Sequence, residues 1–353
     1  MKNNLHIQAL ISQLKASENI DSQLINEENL AKELSTENQL SLPLKIISIL
    51  GGFFASLTFV GFLALSNIIE SEVALIFLGS LMIIAATVGG LFIKKLLYDI
   101  TSISIYITGI ILFVIGLSML DFDYTIICWI VIAVSSIILT INQSYTYSFI
   151  SLSSIISGFF TLIMFSENYI FLQIFQAILI VLLTYTFLFE NELLVINKRI
   201  NKLYNSFKII IILAVIAGFY LLDTNNNATD YWMLSIINIG AILYTLNQIF
   251  EVLKVHLPNQ KLLYSTLVLI LLLPTILSPA ISGAFLIILL CFYVNYKTGF
   301  ALSIISLIGF ISYYYYNLEI TLFTKSIILM ISGSLFIAIY LFIHKKISNH
   351  EEI

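Results

Sequence analysis

The chain has 353 residues, 59% hydrophobic and 10% charged, with a net charge of −4 and a mean hydropathy of +1.02. Soluble domains average about 45–50% apolar and about 25% charged residues, which excludes a soluble enzyme or a nucleic-acid-binding module. The apolar runs do not alternate as barrel strands do, so the expected fold is all-α, a polytopic transmembrane helix bundle.

Residues 1–43 come first and are polar. Lys2, Lys15 and Lys32 stand there against Glu18, Asp21, Glu27, Glu28, Glu33 and Glu37. Ile7, Leu10, Ile11 and Leu14 recur at helical spacing, as do Leu30 and Leu34, with Asn19, Asp21 and Ser22 between them. This pattern predicts two short amphipathic helices. Their acidic balance disfavours binding to anionic lipid and favours packing on the bundle or on a partner. The first long apolar run begins only after Pro43, so no signal peptide is expected.

About twelve apolar segments follow, each compatible with the ~20 residues a helix needs to cross the bilayer. They fall at 44–66, 73–93, 100–120, 124–141, 147–165 and 169–189, then at 207–222, 231–250, 262–277, 280–294, 299–315 and 324–343. Segment 280–294 is short for a full crossing. Pro274 and Pro279 precede it, so this region reads as a kinked pair or a partly re-entrant element. A tail, 344–353, closes the chain.

The charges orient these segments. With the N-terminus in the cytoplasm, fifteen of the sixteen Lys and Arg residues face inside: Lys2, Lys15, Lys32, Lys45, Lys94, Lys95, Lys198, Arg199, Lys202, Lys208, Lys254, Lys261, Lys297, Lys345 and Lys346. The outer loops carry Glu70, Glu72, Asp121, Asp123, Glu167, Asp223, Asp230 and Glu319. Positive residues are retained on the cytoplasmic side, so the pattern predicts an even number of spans with both termini cytoplasmic. Lys325 alone breaks the rule. In the longest inner loop, from Glu190 to Lys208, the residues Lys198, Arg199 and Lys202 read as a topology anchor, with a docking site for an acidic partner or a lipid headgroup as the alternative, and the loop can separate two six-helix halves. No internal repeat supports an inverted-repeat transporter.

The catalytic inventory is thin. Cys128 and Cys291 stand far apart in apolar runs and read as small buried hydrophobes. His6, His256, His344 and His350 are scattered, so neither a metal nor a cofactor is expected. No phosphate-binding Gly loop, nucleophile elbow or HExxH signature is present. No Asp or Glu falls near the centre of a predicted span, which weakens a proton-coupled transporter. The intramembrane polar candidates are Gln173, Gln176, Asn238, Asn247 and Gln248, with interhelical hydrogen bonding as the simpler role and a substrate site as the sharper one. Gln173 and Gln176 share one helix face. Ser151, Ser154, Gly158 and Thr161 form a small-residue stripe, and Gly109 and Gly116 another, where neighbouring helices can approach.

Near the C-terminus, four consecutive tyrosines, Tyr313 to Tyr316, close the eleventh segment, and Lys325 opens the twelfth. Tyrosine suits the membrane interface. Lys325 can snorkel to the headgroups, or it can pair with Glu319 or a tyrosine hydroxyl in an outer-face polar site. The candidate outer-face cluster is Tyr314, Tyr315, Tyr316, Glu319, Thr321, Lys325 and Ser326.

This stretch resembles the end of a bacterial membrane-protein family, domain of unknown function 4401. That family shows a Tyr-Tyr-Tyr, a Leu, a Thr-Leu-Leu and a Lys-Ser pair before its last helix. The matching residues are Tyr314, Tyr315, Tyr316, Leu318, Thr321, Leu322, Lys325 and Ser326, with Phe323 in place of the second Leu. Gly51 and Gly52 after Pro43 are similar to the family's first helix, although Leu44 replaces its usual Trp. The resemblance brings no established activity. It implies membership of an envelope complex, because family members occur beside another multi-pass protein and a small membrane-anchored one.

Three functions remain in view. The first is a non-enzymatic inner-membrane component of an envelope complex, and the second a transporter or lipid-handling protein with a cavity between helices. The third is a membrane enzyme with an outer-face site around Tyr314, Glu319 and Lys325. The expected partners are the lipid bilayer and other membrane proteins, and not nucleic acid.

Overall fold

The computed structural model describes residues 70–317, apart from 93–95, 143, 167, 197, 225–231 and 253–257. It also describes scattered positions within 51–66 and 323–337, helical almost throughout. The amphipathic helices expected in 1–43 and the tail 344–353 lie outside the described residues.

The described part is all α. Its helices are α1 (Glu72–Phe92), α2 (Leu96–Met119), α3 (Tyr124–Ile141), α4 (Tyr145–Phe165), α5 (Tyr169–Leu188), α6 (Glu190–Ile196), α7 (Lys198–Thr224), α8 (Trp232–Val252), α9 (Pro258–Leu272), α10 (Pro279–Tyr293) and α11 (Lys297–Asn317), with a 3-10 helix (Leu273–Leu277) between α9 and α10. Among the described residues, eight helices are long and apolar enough to cross a membrane: α1 to α5, α7, α8 and α11. The protein is therefore a multi-pass membrane protein.

Two boundaries differ from the sequence reading. The expected loop from Glu190 to Lys208 is mostly helical, forming α6 and the first three turns of α7. Its Lys, Arg, Leu and Glu residues are good helix formers, so the helices project beyond the apolar segments rather than fraying. The division of the chain also falls elsewhere. Residues 1–134 with 140–142 form one compact unit, and 135–139 with 143–353 form the other.

In the first unit, α1 and α2 pack as a hairpin through glycine. A Cβ built on Gly79 would lie 2.6 Å from the Phe113 amide nitrogen and 2.8 Å from the Gly109 carbonyl oxygen. A Cβ on Gly116 would lie 3.0 Å from the Glu72 carbonyl. Backbone rests on backbone, the close approach that small residues permit between helices in lipid. Leu63, Leu75 and Leu112 are buried beside this seam. Asp121 takes φ 57° in the turn into α3, a left-handed position that a short polar side chain tolerates.

In the second unit, α7 is central. It packs against α4, α5, α10 and α11, and 56% of its membrane window is buried, against 17% for α11. Ile211, Ile212, Val215 and Phe219 from α7 meet Leu183 and Phe187 of α5 and Ala280, Ala284, Ile287 and Leu290 of α10 in one core. Gly218 and Gly283 admit the Gln176 amide and the Phe219 ring at positions a methyl group would occupy.

The region of Pro274 and Pro279 is broken, as the sequence predicts. Proline removes a backbone donor and disfavours helix in the residue before it. Accordingly α9 tightens into the 3-10 helix, Ser278 is extended at φ −139° and ψ 89°, and Pro279 starts α10 at its first turn. The 15 residues of α10 rise about 22 Å, short of the ~30 Å hydrocarbon core.

Candidate functional site

The intramembrane polar residues separate by position. Gln176 is fully buried, and its Nε2 donates to the Val215 carbonyl of α7 at 2.9 Å. Asn238 is also fully buried, and its Nδ2 donates to the Pro279 carbonyl at 2.9 Å and to Ser282 Oγ at 3.0 Å. Gln173 is half-buried, so the face it shares with Gln176 is only partly covered. Asn247 is exposed and Gln248 half-buried. Ser235, which the sequence did not single out, donates to the Ile276 carbonyl at 2.9 Å. Ser235 thus satisfies a carbonyl of the 3-10 helix, which lipid cannot do, and Asn238 ties α8 to the first turn of α10.

The small-residue stripe on α4 is also graded. Ser151 and Gly158 are buried, Ser154 is half-buried, and Thr161 is exposed. On the predicted outer face, Tyr314, Tyr315 and Tyr316 end α11, with the Tyr315 and Tyr316 rings edge to face at 5.7 Å. The neighbouring Tyr313 hydroxyl donates to the Asp223 carbonyl at 3.1 Å, tying α11 to the end of α7. Ser326 Oγ donates to the Phe323 carbonyl at 2.7 Å. Glu319, Thr321 and Lys325 lie outside the described residues. Cys128 and Cys291 are buried thiols, and among the described residues no group of His, Cys, Asp and Glu could hold a metal ion.

The most unusual chemistry lies at the opposite end of α7. Lys208 Nζ stands 2.8 Å from Glu190 Oε1, with the two side chains only 9% and 19% exposed. Glu190 opens α6 immediately after Phe189, the C-cap of α5, and Lys208 sits in the third turn of α7. The Lys208 ammonium also lies over two rings, 4.7 Å from the Tyr204 centroid and 5.1 Å from that of Tyr296. Both are within cation–π range.

Local structure fixes each partner. The Tyr204 hydroxyl donates to the Thr186 carbonyl at 2.7 Å, and Ser206 Oγ donates to the Tyr145 carbonyl at 2.8 Å, locking this turn of α7 against α5 and α4. Tyr296 is set by the end of α10. Asn295 takes φ 56°, its N–H donates to the Phe292 carbonyl at 3.1 Å, and the Tyr296 N–H donates to the Cys291 carbonyl at 2.8 Å. That is a Schellman stop with asparagine in the left-handed position. Burial pushes the Tyr296 phenol up from its ordinary range, and Tyr145 and Cys291 act in the same direction. The ring therefore stays neutral and offers its face to Lys208.

A cavity of about 530 Å³ opens on this pair, lined also by Asn191, Tyr293 and Asn295. Ligand sites typically measure ~300–1,000 Å³ and place a few polar groups in an apolar wall. Sequence reasoning passed over this site because Lys208 was one of fifteen cations that orientation already explained. One signal was available: Lys208 stands alone beside the continuous apolar run 209–222.

The sequence profile of the domain of unknown function (DUF4401) family matches residues 41–346. The chain belongs to that family. Most of the chain is thus the DUF4401 domain itself, with the Lys208–Glu190 cavity, the broken helix and the tyrosine run all inside it. No curated protein and no solved structure matches the chain.

Proposed function

We propose that this DUF4401 protein is a non-enzymatic integral component of a bacterial envelope complex in the inner membrane. About twelve spans within 44–343 form the bundle, and segments 1–43 and 344–353 lie in the cytoplasm. The observation that carries this reading is how the intramembrane amides are used. Gln176 and Asn238 donate to the backbones of neighbouring helices, so they fix helix positions as a scaffold requires. The cluster Tyr314, Tyr315, Tyr316, Glu319, Thr321, Lys325 and Ser326 serves in this reading as the outer interface anchor.

The test is purification from native membranes in mild detergent, with identification of co-eluting proteins. Stoichiometric membrane-protein partners are expected, and elution of the protein alone would overturn the reading. The cavity at Lys208 and Glu190 favours a second reading, lipid handling or transport. A bound lipid or solute in the same preparation would support it.

A further inference from the structure

Two cavities of unlike chemistry share Leu188. One is the hollow around Lys208 and Glu190. The other, of about 340 Å³, lies between the end of α5 and the middle of α8, with Val181, Tyr185, Ile237, Gly240 and Tyr244 in its walls. It faces outward: Val181 is 60% exposed and Tyr244 46%. Gly240 widens it, since a Cβ built there meets nothing within 4 Å. An apolar slot on the outward side of two helices thus adjoins, at Leu188, a charged hollow.

We propose that these adjoining cavities together bind a phospholipid whose headgroup carries both a phosphate and a primary ammonium, with one acyl chain in the slot. The pairing of charges selects the head. A purely anionic head would meet Glu190 as well as Lys208, and a purely cationic head would meet Lys208 as well as Glu190. A head bearing both charges complements both side chains. The Lys208 ammonium has three N–H donors, of which one is directed to Glu190 Oε1, leaving two for phosphate oxygens. The carboxylate of Glu190 has a second oxygen to accept from a primary ammonium, whereas a quaternary choline has no N–H to give. Tyr204 and Tyr296 hold Lys208 in place, and Asn191 and Asn295 add amide donors and acceptors to the wall. This inference names a ligand for the lipid-handling reading, and its failure would leave membership of an envelope complex untouched.

The test uses the full-length protein in mild detergent and native mass spectrometry. Phosphatidylethanolamine, phosphatidylglycerol and phosphatidylcholine are added separately, with soluble phosphoethanolamine as the head alone. Phosphatidylethanolamine is expected to be retained at least tenfold better than the other two lipids and better than phosphoethanolamine. Gly240→Leu, which projects into open space, should cut its retention about tenfold and leave phosphoethanolamine binding unchanged. The double variant Lys208→Gln with Glu190→Gln keeps the shape of the pair and should erase selection among the three lipids. Equal retention of the three by the unaltered protein would overturn the proposal, as would undiminished retention in Gly240→Leu. Phosphoethanolamine binding as tight as the whole lipid would assign the hollow to a soluble zwitterion and overturn the lipid assignment.

Discussion

Asn238 Nδ2 lies 2.9 Å from the carbonyl oxygen of Pro279, the residue that restarts the helix after the break. That carbonyl can only accept, so the amide nitrogen must face it. Ser282 completes a triangle, accepting from Asn238 at 3.0 Å and donating to the same Pro279 carbonyl at 3.0 Å. One turn earlier on α8, Ser235 reaches the Ile276 carbonyl. The two side chains thus hold both sides of the break, the 3-10 helix and the start of α10, from a continuous helix.

Asn238→Ala is expected to destabilise the protein by ~1–3 kcal/mol, because two buried hydrogen bonds from α8 to the start of α10 are lost. Ser235→Ala should cost less, about 0.5–1.5 kcal/mol for one hydrogen bond. Both act on the same break, so the double variant should depart from additivity by at least ~0.5 kcal/mol. Thermal unfolding in detergent measures all three, and strict additivity would show that the two bonds hold independent structures.

Much of the architecture is legible in the sequence, for reasons that differ by element. The eight long helices among the described residues announce themselves because lipid requires long apolar runs, and α3 (Tyr124–Ile141) coincides with its predicted segment. The break is legible because proline acts locally, through its own missing donor and the residue before it. Lys208 and Glu190 are different. They come from separate elements 18 residues apart, and only the packing of α5, α7 and the α10–α11 turn brings their charges and rings together. Partner identity across helices is not carried by composition or period, so a charge that explains orientation gives no sign of a second role.

Gln176 shows the same limit from the other side. Its polarity is visible in the sequence, but the space it needs comes from Gly218, where an added Cβ would run into Oε1 of the amide. Gly218→Ala should therefore displace the amide and weaken its bond to the Val215 carbonyl, lowering stability by ~1–3 kcal/mol. In a Gln176→Ala background the same glycine substitution should cost much less, because the colliding group is gone. An equal cost in both backgrounds would assign the effect to Phe160, whose ring carbon would lie 3.2 Å from the new methyl.

The Lys208–Glu190 pair should behave asymmetrically. Glu190→Gln keeps a side chain that can accept from Lys208 but removes the compensating charge, and should destabilise by ~1.5–3 kcal/mol. Replacing both residues by glutamine restores a neutral pair and should recover most of that loss. Unfolding midpoints of the single and double variants test this. A double variant no more stable than Glu190→Gln would mean that the ammonium is held by the Tyr204 and Tyr296 rings rather than by the carboxylate.

Orientation gives the last prediction. If cation retention sets the topology, fifteen cations act in one direction and Lys325 alone opposes them. Lys325→Gln removes the only opposing charge, so it should leave the orientation unchanged, with a reporter fused after His350 remaining cytoplasmic. Replacing Lys198, Arg199 and Lys202 together by glutamine should instead loosen the placement of the segments around α7, because that cluster opens α7, the central helix of its unit. Cysteine labelling at positions 191 and 295, both beside the cavity, reads the result from the cytoplasmic side. Access to both positions from that side in the unaltered protein, lost for some molecules in the triple variant, is the expected outcome. A reporter after His350 that becomes active outside the cell in the Lys325→Gln protein would contradict the orientation, since removing a cation from the outer side cannot draw the tail across.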